Sequence, residues 1–74
     1  MYKQIQISGA QSIKAFTHAA GAWQDDISVT DSFGAVANAK SILGMLRLDY
    51  SRPVRISSEN PAAIKSLCIL LQES

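Results

Sequence analysis

The chain opens on Tyr2-Lys3-Gln4-Ile5-Gln6-Ile7, with Ile5 and Ile7 on one face and Gln4 and Gln6 on the other. A period of two with β-branched residues predicts a half-buried strand. The period then changes: Ile13, Phe16, Ala20 and Trp23 follow one another at steps of three and four, which puts them on one face of a helix. Ser8-Gly9-Ala10-Gln11 precedes them with the spacing of a capping box. Ser8 is therefore expected to accept from a first-turn amide while Gln11 reaches back. Gly21 weakens the end of this helix. Asp25-Asp26 is a turn signal, and Ile27-Ser28-Val29-Thr30 alternates again as a second strand. Asp31-Ser32-Phe33-Gly34 predicts a hairpin turn with Gly34 at positive φ, and Ala35-Val36-Ala37 the short returning strand.

Asn38 is expected to cap a helix over residues 39–46, and residues 48–52 read as a connecting loop. Pro53-Val54-Arg55-Ile56-Ser57 is the last strand, with Val54 and Ile56 inward and a proline at its first position, where no ladder bond is lost. Asn60 then caps a helix whose first residue is Pro61. Ile64, Leu67, Cys68 and Leu71 line one face, and Ile69 with Leu70 widens that stripe, which predicts a helix well covered by the sheet. The order is βαββαβα, without repeats or linkers. Helices segregated on an antiparallel sheet make an α+β open-faced sandwich. A ferredoxin-like domain shares most of this order but usually has a longer second helix.

Composition narrows the function. With 74 residues, one domain is the expected count. Hydrophobic residues at 47% against 18% charged are too many for a disordered chain. The net charge is +1, and Lys3, Lys14, Lys40, Arg47, Arg52, Arg55 and Lys65 are scattered rather than arranged in a stripe. Neither nucleic acid nor an anionic membrane is an expected partner. The lone cysteine, Cys68, supplies neither an internal disulfide nor a zinc site, and its place on an apolar stripe marks it as a small buried hydrophobe. No apolar run approaches the ~18 residues of a membrane span and no leader pattern is present, so the expected location is cytoplasmic. Asp25 and Asp26 are adjacent in a turn and have no evident third ligand, so no metal is expected. Phosphate-loop motifs and nucleophile–histidine–acid constellations are missing. The expectation is a protein that is not an enzyme and needs no cofactor.

The block Asn38-Ala39-Lys40-Ser41-Ile42-Leu43-Gly44-Met45-Leu46 is a short apolar helix pattern with a serine near its start. It resembles the second-helix segment of the HPr-type phosphocarrier family of the bacterial sugar phosphotransferase system. The hairpin around Gly34, the run Lys40-Ser41-Ile42 with Gly44 two residues on, and the strand Pro53-Val54-Arg55-Ile56 all fall at family-like spacing. The region looks most like Gram-positive HPr proteins and their small, divergent relatives. The resemblance implies an HPr-like fold over residues 1–74: a four-stranded antiparallel sheet covered on one face by three helices.

HPr carries its chemistry on a histidine beside an alanine-arginine-proline run at the start of its first helix. Helix amides and the arginine support the phosphorylated ring. The matching position here is Gly9 or Ala10, followed by Gln11 and Ser12. Both the nucleophile and the cation are missing, so the resemblance implies a relative without the family's phosphoryl transfer. The amides behind Ser8 remain, which leaves Ser8, Gly9 and Ala10 as a weak anion site; a phosphate ester on Ser8 would be stable and a poor donor. His18 is the alternative phosphoryl site. It lies five positions after Ile13, about 140° round the helix, on the flank or solvent side, in mid-helix, with no amide donors nearby. The ordinary reading is a surface histidine.

Two further properties are implied by the resemblance. In Gram-positive HPr the serine matching Ser41 is phosphorylated by an ATP-dependent regulatory kinase, and a phosphate near a helix N-terminus is favoured by the dipole. The structural alternative is that Ser41 is a first-turn helix residue. Apolar residues of the family's second helix are partly exposed and contact enzyme I, the kinase and a transcription regulator. The matching positions are Ile42, Leu43 and Leu46, beside Lys40, and they form a candidate docking patch. Three functions stay open: a non-catalytic regulatory or protein-binding relative that docks through its second helix, as a monomer or weak homodimer; a phosphocarrier using a non-standard site at His18; and a structural or oligomerisation domain that kept only the fold.

Overall fold

The computed structural model of the chain describes residues 2–73. Seven elements follow in order: β1 (Tyr2–Ile5), α1 (Ala10–Ala20), β2 (Ile27–Thr30), β3 (Val36–Asn38), α2 (Ile42–Leu46), β4 (Val54–Ser58) and α3 (Pro61–Glu73). The strands form one antiparallel sheet in the order β1-β4-β2-β3. The last strand of the chain therefore lies between the first and the second. Three helices cover one face, which is the α+β open-faced sandwich predicted by the hydrophobic pattern.

Alternation decides which side chains meet the helices. Ile27 and Val29 of β2, Ala37 of β3, and Val54 and Ile56 of β4 are buried. They pack with Ile13, Phe16 and Ala20 of α1, Met45 of α2, and Ala63, Ile64, Leu67 and Cys68 of α3. Each fully buried large side chain contributes roughly 1.5–3 kcal/mol relative to exposure, and Phe16, Ile7, Ile27, Met45, Ile56 and Leu67 all reach that state. The opposite face carries the alternate positions in two rows set by the register: Gln4, Arg55, Thr30 and Val36, then Tyr2, Ser57, Ser28 and Asn38.

Several elements differ from their sequence expectation. β1 stops at Ile5, opposite Val54, because the residue before Val54 is Pro53, which has no N–H to continue a ladder. Ile7 is still buried in the core, from an irregular segment. The expected capping box at Ser8 does not form. The N-cap of α1 is Gly9, at φ 85°, and no side chain caps the helix; the left-handed turn at Gly9 leaves exposed Ser8 one position too early to reach the first-turn amides. Trp23 lies beyond α1, half-buried against the core, in a turn closed by its N–H donating to Ala20 at 3.1 Å.

The hairpin turn forms as expected, with Gly34 at φ 88° and the Asp31 N–H donating to the Ala35 carbonyl at 2.9 Å. β3 and β4 each lie one residue later than predicted. The largest shift is at α2. Asn38 does not cap it. Its Oδ1 accepts the Lys40 N–H at 2.9 Å in a local turn, while the Ala39 N–H donates to Ile27 on β2. Asn38 thus ends β3, residues 39–40 form a turn, and the helix begins three residues late, at Ile42, with Ser41 as its cap. At the start of α3, Asn60 Oδ1 accepts the Ala62 N–H at 3.0 Å, as the Asn-Pro pair predicts. Ile69 is exposed, so the stripe of α3 is narrower than expected: one step of about 100° from Cys68 carries it out to solvent.

Candidate functional site at the second helix

α2 is five residues long, too short to be stable by its own hydrogen bonds. Its position is fixed from outside. Met45 is fully buried beneath it, and the Tyr50 hydroxyl donates to the Met45 carbonyl. The Tyr50 carbonyl in turn accepts from Gln6 Nε2 at 2.9 Å, which ties the loop after α2 to the exit of β1. Burial pushes the Tyr50 hydroxyl pKa up, with the charge of Asp31 adding to the effect, so it stays a donor at any physiological pH.

Asp31 holds the other side of that loop. Its Oδ1 accepts the N–H groups of Phe33 and Ala35, each at 2.9 Å, and its Oδ2 accepts the Asp49 N–H at 3.0 Å. The bond from Asp49 is the largest influence holding the Asp31 carboxyl below the usual carboxylate range; burial opposes it, and Ala35 and Phe33 add to the lowering. Asp49 is lowered too, chiefly by the Ser51 N–H at 2.9 Å.

The frame presents α2 as follows. Ser41 is exposed, with extended backbone, and its Oγ accepts the Gly44 N–H at 3.3 Å. It is the N-cap, one position before the first helical residue, rather than part of the first turn. Leu43 and Leu46 are exposed at 74% and 48%, which makes them the apolar part of the helix surface. Ile42 is half-buried and packs against the core, so the expected patch of three contracts to two. Lys40 is half-buried beside Ser41. A Cβ at Gly44 would sit 3.4 Å from the Ala37 Cβ and 3.5 Å from Ser41 Oγ, in ordinary van der Waals contact with both.

The remaining predicted positions lie elsewhere. Ser8, Gly9 and Ala10 are exposed at the start of α1, whose first-turn amides receive no side-chain cap. His18 is exposed in the last turn of α1 rather than at mid-helix. That end offers carbonyls, which favour a cation and disfavour a phosphoryl anion. Asp25 and Asp26 are exposed, and Asp25 Oδ2 accepts from Asn60 Nδ2 at 2.8 Å. Among the described residues no group of three His, Cys, Asp or Glu is placed to hold a metal ion, and no helix is long and apolar enough to cross a membrane. Cys68 is buried and forms no disulfide; burial pushes its thiol pKa up. Sequence reasoning missed Asp31 and Tyr50 as the residues that fix α2. The signal for Asp31 was its place at the first position of a turn, where carboxylates accept backbone bonds; nothing in the sequence pointed to Tyr50.

No protein-family profile matches the chain, and no curated protein sequence matches it. Solved structures do. The phosphocarrier protein HPr from Bacillus anthracis str. Ames superposes with a TM-score of 0.81 at 24% identity, over 97% of this chain and 96% of that one. HPr-C-His from Thermoanaerobacter tengcongensis gives a TM-score of 0.81 at 27% identity, over 99% of this chain and 90% of that one. The likeness expected over residues 1–74 is thus found over nearly the whole structure, and the chain has the fold of the HPr phosphocarrier proteins.

Proposed function

We propose that this chain is an HPr-like protein of the phosphotransferase system that does not itself carry phosphate: a regulatory or protein-binding relative that docks on cytoplasmic protein partners through α2, with Ser41 as a regulatory phosphorylation site. The observation that carries this reading is the surface of α2 itself. Leu43 and Leu46 stand exposed on a helix held rigidly from below, and the exposed hydroxyl of Ser41 caps the same helix. An exposed apolar pair on a fixed scaffold loses little entropy on binding, and a phosphate on the adjacent cap adds about −1.5 to −2 charges beside it.

The absence of phosphoryl transfer rests on the start of α1. By the resemblance, Gly9 or Ala10 matches the histidine of the phosphocarriers, and Gln11 and Ser12 follow where the family has its arginine nearby. Lys40, Leu43 and Leu46, with the half-buried Ile42 at their base, are the proposed partner contacts.

The test is the intact mass after incubation with a Gram-positive HPr kinase and ATP, with Ser41→Ala as the control. Gain of one phosphate by the parent and none by the variant supports the reading. No gain removes the switch and leaves docking to be tested by substitution of Leu43 and Leu46. Phosphorylation from phosphoenolpyruvate and enzyme I, abolished by His18→Ala, would overturn the non-carrier reading.

A further inference from the structure

The geometry points to a second binding site, on the open face of the sheet away from α2: the cleft beside Arg55 takes a small organic molecule carrying a carboxylate or phosphate group. Arg55 stands on β4, in the middle of the sheet, with Gln4 of β1 and Thr30 of β2 directly opposite it on either side. Its guanidinium carbon lies 4.7 Å from the centre of the Tyr2 ring, over the ring. A guanidinium held over an aromatic ring keeps its N–H donors in its own plane, at the rim, where they remain open to a ligand. Among the described residues no carboxylate is paired with it.

The space around it is shaped. Gln4, Thr30, Asp31, Ser32, Pro53 and Arg55 line an open cleft of about 420 Å³. That volume falls at the low end of the roughly 300–1,000 Å³ typical of small-molecule sites. Asp31 also lines the cleft, with its oxygens engaged by the amides of Phe33, Ala35 and Asp49. Arg55 is the cation of the cleft. A guanidinium binds carboxylate and phosphate through paired N–H donors, and the hydroxyls of Thr30 and Ser32 with the amide of Gln4 suit a ligand that is otherwise polar. Each of the four side chains is neutral or cationic, and none carries a group for chemistry on the ligand.

The experiment is a titration of the full chain, followed by amide NMR, with inorganic phosphate and separately with acetate. Saturable shifts at Gln4, Thr30, Ser32 and Arg55, weakened about fivefold or more by Arg55→Gln as expected for loss of a charge-assisted pair, would support the site. Arg52→Gln, which removes a nearby exposed charge outside the cleft, should leave them unchanged. The comparison of the two anions shows whether phosphate or carboxylate is preferred. The absence of saturable shifts would overturn the proposal. So would equal weakening by both variants, which means non-specific charge, or shifts confined to residues 8–12, which means the start of α1.

Discussion

The carboxylate of Asp31 accepts the backbone N–H of Asp49 at 3.0 Å, across eighteen positions of sequence. This bond joins the turn between β2 and β3 to the loop that follows α2. Asp31→Asn can keep an oxygen on the Phe33 and Ala35 amides, but its NH₂ group then faces the Asp49 N–H, donor against donor. The urea midpoint of Asp31→Asn should fall at pH 7, and that of Asp31→Ala should fall further. Equal midpoints for Asp31→Asn and the parent would show that the Asp49 bond contributes nothing.

The same carboxylates set the acid response. Asp31 and Asp49 both have pKa values below the ordinary 3.8 in the folded chain. A carboxyl with a depressed folded pKa binds fewer protons in the folded than in the unfolded state near that pH, so its stabilisation is complete above the ordinary value and is lost as pH falls through the folded one. Stability should therefore hold from neutrality down to about pH 4 and decline below it, and Asp31→Asn should flatten that decline. Urea midpoints at a series of pH values read this directly.

Ser41 has a structural part that is separable from any modification. Removing an N-cap side chain costs about 0.5–2 kcal/mol, and the 3.3 Å bond to Gly44 places Ser41→Ala at the low end. Ser41→Asp restores an acceptor with charge suited to the helix start and should recover most of that loss. If Ser41→Asp were as unstable as Ser41→Ala, capping would not explain the residue.

Neighbouring positions of α2 should behave oppositely. Met45 is fully buried and Leu43 is 74% exposed. Met45→Ala should cost about 2–5 kcal/mol, whereas Leu43→Ser should change stability by no more than about 0.5 kcal/mol while weakening any partner that docks on α2. Thermal unfolding of the two variants, side by side, separates scaffold from surface.

Gly9 and Gly34 both adopt positive φ, at 85° and 88°, and a Cβ at either meets nothing within 4 Å. The cost of alanine there is backbone strain alone, roughly 1–2 kcal/mol. Far smaller losses at Gly9 would mean that the start of α1 adapts to a side chain.

The strands and the faces they bury were legible because a period of two and a period near 3.6 are written into single segments. Ile27-Ser28-Val29-Thr30 needed no other part of the chain to be read. Asn60-Pro61 was equally local. The boundaries of α2 were not, because what delays its start is the Ala39 N–H bonding to Ile27 on another strand, a tertiary contact that outweighs the capping propensity of Asn38. The same holds for the site. Ser41, Leu43 and Leu46 could be singled out from their own block, whereas Ile42 turned toward a core that no local pattern describes. Arg55 over Tyr2 depends on β1 and β4 lying side by side, fifty residues apart.

The place of β4 between β1 and β2 also orders events in time. As the chain leaves a ribosome, Tyr2–Ile5 emerges before the other three strands but has no strand to pair with until Val54–Ser58 follows. Until then only the β2–β3 hairpin can close by itself, with Ile27 and Val29 waiting uncovered on one side of it. The joining of β1 to the β2–β3 hairpin, and with it the place of Arg55 beside Tyr2, therefore awaits Val54–Ser58.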